Sequence, residues 1–570
     1  MKRWILIIGM AVAAWGGVEA QQMHYNYEIG GSVLTRDALS TSDFFTLSQE
    51  QFNFGTARSM AMGGAFTSLG ADQAAMVLNP AGLGMYRRGE FALTPMVTIA
   101  NTETANTNPY GSTSSSRFAL GNIGAVMNVF EGSGRLLSFN IGMGYTRLAD
   151  YNYDYSFSYG ARDGRASIAD AMSMMLEAGG WSADQLNGER GWGIDPWGWP
   201  GVAAYKTYLV DQNPYGVWYP AEIGVNADIE GGTSVRSRGS MGEFSLAMGG
   251  NVDNKLYFGF TLGIRSLERR MDLYYGEAYT YGGGNGYDSD TQAVDADGYL
   301  LPSVMQSMGM EHRMRLEGVG VNFKLGVIYR PIAGLRLGFA LHTPTFYSLD
   351  RHYETAMATT SLGPTSDTDQ TTHEYTSDAV SPILEDNGPS SWDFVSPTRM
   401  MFGVSYTLGN VAVFSVDYER AWYNGIRVKN QPYLAFGPAE ADFKQDFKTY
   451  FKGSNTLRAG VEVRPVPMLA LRAGYGYIGS MLKDEQTILS TPATYKTNYY
   501  TCGAGVNLGR SCYIDVAYCY AKQQMTEYML FYGNRYPAQT SSEPAEIYES
   551  DCYTTELTRH NIALTFGVRF

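Results

Sequence analysis

The sequence predicts an all-β membrane protein: a 14-stranded antiparallel transmembrane β-barrel with an N-terminal plug (hatch) inside the lumen. Three observations support this prediction. Apolar and polar residues alternate along about fourteen segments, short and long connections alternate between those segments, and the chain ends on an aromatic strand at Phe570. Strands that face lipid on one side and a polar lumen on the other have this pattern.

The first twenty residues have the features of a secretory signal peptide. Lys2 and Arg3 precede the apolar stretch of "MKRWILIIGMAVAAWGGVEAQQ", and Val18 and Ala20 are the small residues of a cleavage site. The apolar stretch is shorter than the roughly 20 residues that a membrane-spanning helix needs. We therefore expect cleavage after Ala20, export, and a location in the outer membrane of a Gram-negative cell.

The strand pattern is clearest in "LSFNIGMGY", which begins at Leu137. Its apolar residues are Leu137, Phe139, Ile141, Met143 and Tyr145, and small or polar residues lie between them. The same alternation returns along the chain up to the segment from His560 to Phe570. The opposite strand faces are predicted to line the lumen with Asn140, Asn322, Lys324, Arg336, Arg458, Glu462, Arg472, Asn507 and Asp515.

The connections distinguish a barrel from a soluble β-sandwich, which is the alternative. Six short connections fall at residues 131–134, 251–254, 331–334, 408–410, 464–468 and 508–511, and the longest connection covers about residues 160–232. Tight turns at one end and long loops at the other are typical of outer-membrane barrels. A sandwich does not require this strict alternation, so the pattern favours the barrel.

The residues that carry chemistry form no recognisable catalytic or metal site. Residues 474–479 read "GYGYIG" and match a dinucleotide fingerprint, but they lie on an alternating strand with no helix to receive a phosphate. The six histidines lack metal-ligand spacing, and the net charge of −14 argues against nucleic acid as a partner. We predict no enzyme activity, no cofactor, no metal and no disulfide, although Cys502, Cys512, Cys519 and Cys552 allow three pairings.

Residues 21–88 are predicted to form the plug, and residues 89–570 the barrel with its long extracellular loops. The first of these segments lacks strand alternation and is rich in Gly, Ala and Met. About fourteen strands enclose a lumen that needs an occupant, and small residues permit close approach to the wall. Asn79 and Pro80 are expected to stop a short helix and turn the chain towards the wall.

The stretch "GTARSMAMGGAFTSLGADQAAMVLNPAGL", residues 55–83, resembles the N-terminal hatch of the long-chain fatty acid transporter (FadL/TodX) family. The Asn-Pro-Ala element of that hatch maps onto Asn79, Pro80 and Ala81, and its glycines onto Gly63 and Gly64. The resemblance, to a member of the type found in Bacteroidetes, implies passive uptake of hydrophobic small molecules such as long-chain fatty acids. The plug would gate this uptake across the lipid bilayer and its lipopolysaccharide.

The same resemblance implies a sideways exit for the ligand at a kink in the third strand. In that strand Arg147 falls on the apolar face and Leu148 on the polar face. From Tyr151 onwards, aromatic residues again occupy every second position, in step with Tyr145. We predict a bulge or kink at Arg147 and Leu148. An uninterrupted strand that projects beyond the bilayer is the alternative.

The long connection after the third strand is predicted to contain a helix. Ser167 and Asp170 can cap "SIADAMSMMLEAGG", and Gly179 and Gly180 can end it. This helix, with the tryptophans around it, would form either a groove that collects apolar ligands or a self-packed cover. Long acidic loops rich in tyrosine and tryptophan also suit an outer-membrane protein partner. The alternative function is therefore that of a non-transporting FadL-like barrel, a structural or shuttle component of a larger outer-membrane complex.

Overall fold

The computed structural model describes most of the chain from residue 46 onwards. The described residues are 46–50, 55–105, 111–159, 167–187, 192, 198–220, 223, 227–281, 287–288, 292–293, 304–364, 370–380, 391–429, 444–445, 447–449, 451–483, 487–488, 491–492, 495–509, 511–527, 532–534, 547–549 and 553–570. The predicted signal peptide and the start of the predicted plug lie outside them. No helix in the described ranges is both long enough and apolar enough to cross a membrane.

Fourteen strands form the wall, and four of them consist of two consecutive pieces. They are β1 (Glu90–Ala105), β2 (Gly111–Glu131), β3 (Leu136–Asp150 and Tyr153–Tyr159), β4 (Ala227–Val252), β5 (Leu256–Tyr281), β6 (Val304–Tyr329), β7 (Leu335–His342 and Phe346–Pro364), β8 (Ser391–Val395 and Arg399–Leu408), β9 (Ala412–Trp422 and Arg427–Lys429), β10 (Gly453–Val466), β11 (Leu469–Ile478), β12 (Thr497–Leu508), β13 (Cys512–Glu527) and β14 (Tyr553–Arg569).

The remaining elements lie in the N-terminal segment and the loops. The α-helices are α1 (Ala57–Ala61), α2 (Ile168–Gly179), α3 (Ala183–Leu186) and α4 (Trp199–Lys206), and the 3₁₀ helices are Gln73–Met76, Pro80–Met85 and Tyr423–Gly425. Short loop strands are Val210–Gln212, Trp218–Pro220, Tyr287–Asp288, Gln292–Ala293, Gln370–Val380, Thr487–Ile488, Thr491–Pro492, Tyr532–Asn534 and Ile547–Glu549.

The wall closes on itself because the first and last strands pair. Phe91 of β1 lies opposite Val568 of β14, and every neighbouring pair round the wall is antiparallel. The predicted 14-stranded antiparallel barrel is confirmed. All six short connections predicted from the sequence join consecutive strands. Residues 131–134, for example, connect β2 to β3, and residues 508–511 connect β12 to β13. Closure leaves no unpaired sheet edge, which a membrane would not tolerate.

The two faces of each strand differ in exposure as the alternation predicts. On β6, Val319 is 57% and Phe323 43% exposed on the outer face, whereas Asn322 and Lys324 are 1% and 0% exposed on the inner face. Charged and amide groups therefore face the lumen, where other polar groups surround them. The outer apolar face is the surface that lipid would cover.

Three strands are much longer than a bilayer requires. β4, β5 and β6 each contain 26 residues, whereas crossing takes roughly 9–11 tilted residues. The outer apolar band of β5 lies between Leu256 and Ile264, and Glu268 and Arg270 follow it on the same face. The wall therefore continues beyond the apolar band on the side of the long loops.

Helix α2 packs under the loops at this end of the barrel. Ser167 and Asp170 form the predicted capping box, and Gly180 ends the helix with a φ of 66° in the left-handed region. Met172 and Leu176 are buried in one cluster with Trp199 of α4. Ser167 and the Ile168 N–H also bind the carboxylate of Glu277 on β5. The predicted helix is confirmed, and its apolar face packs inward as a cover.

Because lipid surrounds the outer face, an arginine there should cost most at the depth of the bilayer midplane. We expect Phe323→Arg to destabilise the barrel by about 2–4 kcal/mol and Val319→Arg, at the edge of the apolar band, by about 0–1 kcal/mol. Urea unfolding of the protein in phospholipid vesicles would measure both. Equal losses for the two variants would contradict the assigned position of the membrane.

Candidate functional site

The N-terminal segment from Gly55 to Gly89 contacts strands on several sides of the wall. The Ala57 N–H donates to Thr565 Oγ1 of β14 over 2.7 Å, and the Thr67 N–H donates to Asp417 Oδ2 of β9 over 2.7 Å. Asn140 Nδ2 of β3 donates to the Leu83 carbonyl over 2.8 Å. These three strands are spaced round the circumference, so the segment is held from more than one direction.

The two predicted hatch glycines form a tight turn directly after α1. Gly63 and Gly64 have φ angles of 64° and 70°, a left-handed conformation that side chains disfavour. A Cβ atom on Gly63 would lie 3.1 Å from backbone atoms of Ala459 and Tyr475. Both the turn and the close approach to β10 and β11 therefore require glycine at this position.

Asn79 has no exposed surface and joins the segment to two neighbouring wall strands. Its Nδ2 donates to the carbonyls of Thr67 (2.6 Å), Phe339 of β7 (3.2 Å) and Val327 of β6 (3.5 Å). Its Oδ1 accepts from the Ala81 N–H over 3.1 Å. One amide thus caps a helix and attaches that helix to the wall.

The structure corrects the expectation that Asn79 and Pro80 stop a helix. The preceding 3₁₀ helix has already ended at Met76, and Asn79 is the N-cap of the next one, in which Pro80 occupies the first turn. Proline suits that position because the first N–H groups of a helix have no partner within it. Asn79 and Pro80 therefore start a helix.

Glycines of the wall receive the segment by close backbone approach. A Cβ atom on Gly326 of β6 would lie 1.9 Å from Asn79 Oδ1, and one on Gly259 of β5 would lie 2.2 Å from the Pro80 carbonyl carbon. A Cβ atom on Gly474 of β11 would lie 2.3 Å from the Gly63 nitrogen. These inner-face glycines leave the space that the segment fills.

A buried ion-pair cluster connects α1 to the wall. Arg58 Nε lies 3.2 Å from Glu462 Oε2, the same oxygen that Arg472 Nε approaches to 2.8 Å. Arg472 Nη1 lies 2.6 Å from Asp515 Oδ1. Beside this cluster, burial raises the pKa of the Asp72 carboxyl even though Arg58 opposes that shift. The predicted lumen residues Arg472, Glu462 and Asp515 thus come together round one arginine of the segment.

A second cluster surrounds Glu50, which lies in the earlier described stretch 46–50. Its Oε1 is 2.6 Å from Arg265 Nη2 of β5 and 3.6 Å from Arg399 Nε of β8. Arg399 Nη2 also donates to the Ser48 carbonyl. All of these side chains are buried.

The third strand has an irregularity at the residues predicted for a sideways exit. Arg147 pairs with Gly242 and Ala149 with Met241 on β4, so Leu148 is an extra residue in β3. Arg147 is buried, and its Nη2 lies 2.7 Å from Asp150 Oδ2. The pieces of β3 are separated by residues 151 and 152. Use of this bulge as an exit stays a prediction.

The extra residue moves the aromatic side chains after it to the inner face. Tyr151, Tyr153, Tyr155 and Phe157 are all buried, although they continue the register of the lipid-facing Tyr145 in the sequence. The Tyr153 and Tyr155 rings stack with centroids 6.2 Å apart. A strand alternates with period two, so one inserted residue exchanges its two faces.

The comparisons with known proteins identify the family of the chain. The model of the outer membrane protein transport protein (OMPP1/FadL/TodX) family matches residues 214–542, which is more than half of the chain. The chain belongs to this family. FadL/TodX proteins are outer-membrane β-barrels that transport hydrophobic compounds and are not enzymes. Membership of a Bacteroidetes type stays a prediction.

Several solved structures of FadL/TodX-type proteins are similar to the chain at low identity. The Pseudomonas putida toluene transporter TodX is 14% identical with a TM-score of 0.47, over 91% of this chain and 99% of that chain. The Ralstonia pickettii toluene transporter TbuX is 14% identical with a TM-score of 0.44, over 92% and 100%. A Pseudomonas aeruginosa FadL homologue is 10% identical with a TM-score of 0.44, over 91% and 98%. A search of curated proteins found no match.

Five members of the Glu50 cluster, counting the carboxylates that pair with Arg265 and Arg399, were missed in the sequence: Glu50, Arg265, Arg399, Glu243 and Glu419. Arg265 and Glu243 alternate in step with inner-face neighbours, so strand parity alone could have assigned them to the lumen of this FadL/TodX barrel. Glu50 has no such signal, because it lies outside the wall and pairs with a residue 215 positions away.

Because the Asn79 amide donates to three carbonyl oxygens, its loss should loosen the segment from the wall. We expect Asn79→Ala to raise hydrogen exchange at the amides of residues 79–86 by about 10- to 100-fold. Asn79→Asp should have the larger effect, since a carboxylate would face those carbonyls. Hydrogen-exchange mass spectrometry measures both variants.

Asn213→Ala serves as the control. It removes an amide that accepts from the Tyr215 and Val217 N–H groups of an outer turn. Equal protection in all three variants would rule out the anchoring role of Asn79.

Proposed function

We propose that this FadL/TodX protein is an outer-membrane channel for passive uptake of hydrophobic small molecules, such as long-chain fatty acids, and that an N-terminal plug gates it. The observation that carries the proposal is the attachment of residues 55–89 to wall strands on several sides. In the proposed organisation, residues 1–20 are a cleaved signal peptide, residues 21–88 the plug and residues 89–570 the barrel.

Gating would depend on the weakest attachments of the plug. Gly63 and Gly64 allow the turn that approaches the wall, and Asn79, Pro80 and Ala81 form the capped helix start held by β6 and β7. Most of these contacts are single hydrogen bonds to backbone carbonyls, each worth about 0.5–1.5 kcal/mol in net stability. A ligand that binds beside the segment could replace several of them, which would open a path without an energy source.

The path into the bilayer would leave the barrel at the bulge in β3. Support comes from the register shift at Leu148 and from the break after Asp150. Bulges interrupt the wall hydrogen bonds, so an opening there costs fewer of them. The molecules delivered there would meet the lipid bilayer beneath its lipopolysaccharide.

The transport proposal is tested by uptake in cells with and without the gene. We expect deletion to lower the initial uptake rate of at least one apolar probe, either hexadecanoate or toluene, and a protonophore to leave the outer-membrane step unchanged. Unchanged uptake of every apolar probe would refute the proposal. A stoichiometric protein partner after purification in mild detergent would instead favour the alternative of a structural component.

If the segment closes the lumen, weakening its attachment should let ions pass. In planar bilayers we expect the wild-type protein to show rare, small conductance steps and Asn79→Asp to show frequent, larger ones. Asn213→Ala should behave as the wild type. A wild-type conductance as large as that of the Asn79→Asp variant would mean that the segment does not close the barrel.

Deletion of Leu148 should restore regular pairing between β3 and β4 and remove the proposed exit. We expect the deletion variant to fold, with the heat-dependent gel mobility of a barrel, and to lose most apolar uptake. Val129 is a matched control, because it is the extra residue at a bulge between β2 and β3 near a short turn. Uptake that survives deletion of Leu148 but not of Val129 would contradict an exit at Leu148.

A further inference from the structure

The end of the barrel that carries the short turns is surrounded by basic side chains. We call them the basic ring, and all of them are exposed or half-buried. The members of the ring are Arg87, Arg88, Arg135, Lys255, Arg330, Arg464 and Arg569. Because the whole chain has a net charge of −14, this end differs in sign from the rest of the protein.

Carboxylates at the same end do not balance the basic ring. Glu131 and Asp253 are the exposed carboxylates among the described side chains of the six short turns and the strand ends beside them. Asp253 Oδ2 lies 3.3 Å from Arg135 Nε. Two further carboxylates pair with members of the ring but are themselves buried, namely Glu90 with Arg569 and Glu462 with Arg464. The exposed surface of this end is therefore positive.

The basic ring lies directly beside the apolar outer surface of the barrel. Five of its members have an exposed apolar side chain as their neighbour in the chain, and these neighbours are Leu136, Leu256, Tyr329, Val463 and Val568. An arginine or lysine in such a place can lay its carbon stem along the apolar surface and extend its charge to the head groups of the surrounding lipid. The ring therefore continues the surface that lipid covers.

The opposite edge of the apolar surface begins with carboxylates. On the outer faces of β5, β6 and β7, the first charged residues beyond the apolar band are Glu268, Glu317 and Asp350. Glu317 lies opposite the other two in the paired strands. Arg313 and Arg315 lie farther from the band, where they pair with carboxylates. On these strands the two edges of the apolar surface thus carry opposite charges.

We propose that the basic ring binds the anionic head groups of phospholipids in the periplasmic leaflet of the outer membrane. Outer-membrane barrels have their short turns on the periplasmic side. The ring fits such head groups through its charge and through its continuity with the surface that lipid covers. This inference concerns the fit of the barrel in its membrane and is independent of the transported ligand.

The distribution of the ring favours lipid over a protein partner. Its members lie at the junction of β14 and β1, at the three turns β2–β3, β4–β5 and β6–β7, and at the β10–β11 turn. Lipid surrounds a barrel on all of these sides. A docked protein would instead require a positive patch on one side of the short-turn end.

Six of the seven ring members are arginines, which suits a phosphate ligand. A guanidinium presents its N–H groups in a planar fork that can bind two phosphate oxygens together. Each basic side chain close to an anionic membrane surface strengthens binding by about fivefold, so several such contacts give a clear preference over zwitterionic lipid. The ring would also fix the depth of the short turns in the membrane, because a shift would separate the guanidinium groups from the phosphates.

The test measures which phospholipids stay bound to the full-length protein. The protein would be placed in nanodiscs with equal amounts of phosphatidylglycerol and phosphatidylcholine, and native mass spectrometry would count each lipid retained after release. We expect the wild type to retain phosphatidylglycerol at least about fivefold over phosphatidylcholine. Arg135→Gln with Lys255→Gln, and Arg88→Gln with Arg464→Gln, should each lower this ratio by about half, and the four changes together should bring it below about twofold.

The matched control removes four exposed cations from the outer face of the long-loop end, by Arg236→Gln, Arg270→Gln, Arg313→Gln and Arg315→Gln, and should keep the wild-type ratio. Equal retention of the two lipids by the wild type, or an unchanged ratio in the fourfold ring variant, would overturn the inference. An equal loss of preference in the control would overturn it as well, because total charge would then set the preference. A periplasmic protein that co-purifies with the wild type and is lost with one pair of ring changes only would assign the surface to a partner instead.

Heat-dependent gel mobility shows whether each variant is a folded barrel. If the fourfold ring variant does not fold, the two paired variants are compared with the wild type in its place. A further variant with Arg88→Lys, Arg135→Lys and Arg464→Lys retains the charge and should keep the preference for phosphatidylglycerol. Loss of the preference in this variant would contradict recognition through charge.

Discussion

The structure depends on closure of the wall by hydrogen bonds between β1 and β14. In the hydrocarbon region no water is available to bind an unpaired N–H or C=O group, so a sheet must close completely or not cross at all. Closure with fourteen strands leaves a lumen too wide for wall side chains alone. The glycines and charged residues of the inner face follow from that geometry. The glycines make room for the backbone of the N-terminal segment, and the charged residues need partners inside the lumen.

The charged inner face explains why the N-terminal segment contains charged residues as well as small ones. Arg58 and Glu50 have opposite charges, and each pairs with a buried charge on a different part of the wall, Arg58 with Glu462 and Glu50 with Arg265. An apolar filler would remove one ion-pair partner from each of these buried wall charges, and loss of a partner from a buried pair is destabilising. The segment and the wall therefore depend on each other electrostatically.

The inner surface changes character along the barrel axis. Many buried aromatic residues and methionines, such as Tyr151, Met172 and Met314, lie on the side of the long loops, whereas the contacts of the N-terminal segment around Arg58 and Asn79 lie towards the short turns. Methionine and aromatic side chains adapt to ligands of varied shape. Adaptable apolar side chains are thus concentrated on the side of the long loops, an arrangement that suits the transport of hydrophobic compounds by FadL/TodX proteins.

Strand alternation in the sequence was sufficient to determine the fold class, the strand number, the six short turns and some inner-face charges, such as Lys324 and Arg458. These features follow from the period of two along each strand, which is a local property. The resemblance of the N-terminal segment to a family hatch was also a local feature, carried by Gly63, Gly64 and Asn79. Only the tertiary structure decided that Asn79 starts a helix and that Glu50 lies between Arg265 and Arg399. It also decided that the extra residue Leu148 places Tyr151 and the aromatic residues after it on the inner face. A bulge is a property of two paired strands, and an ion pair between residues 215 positions apart exists only once the barrel has closed.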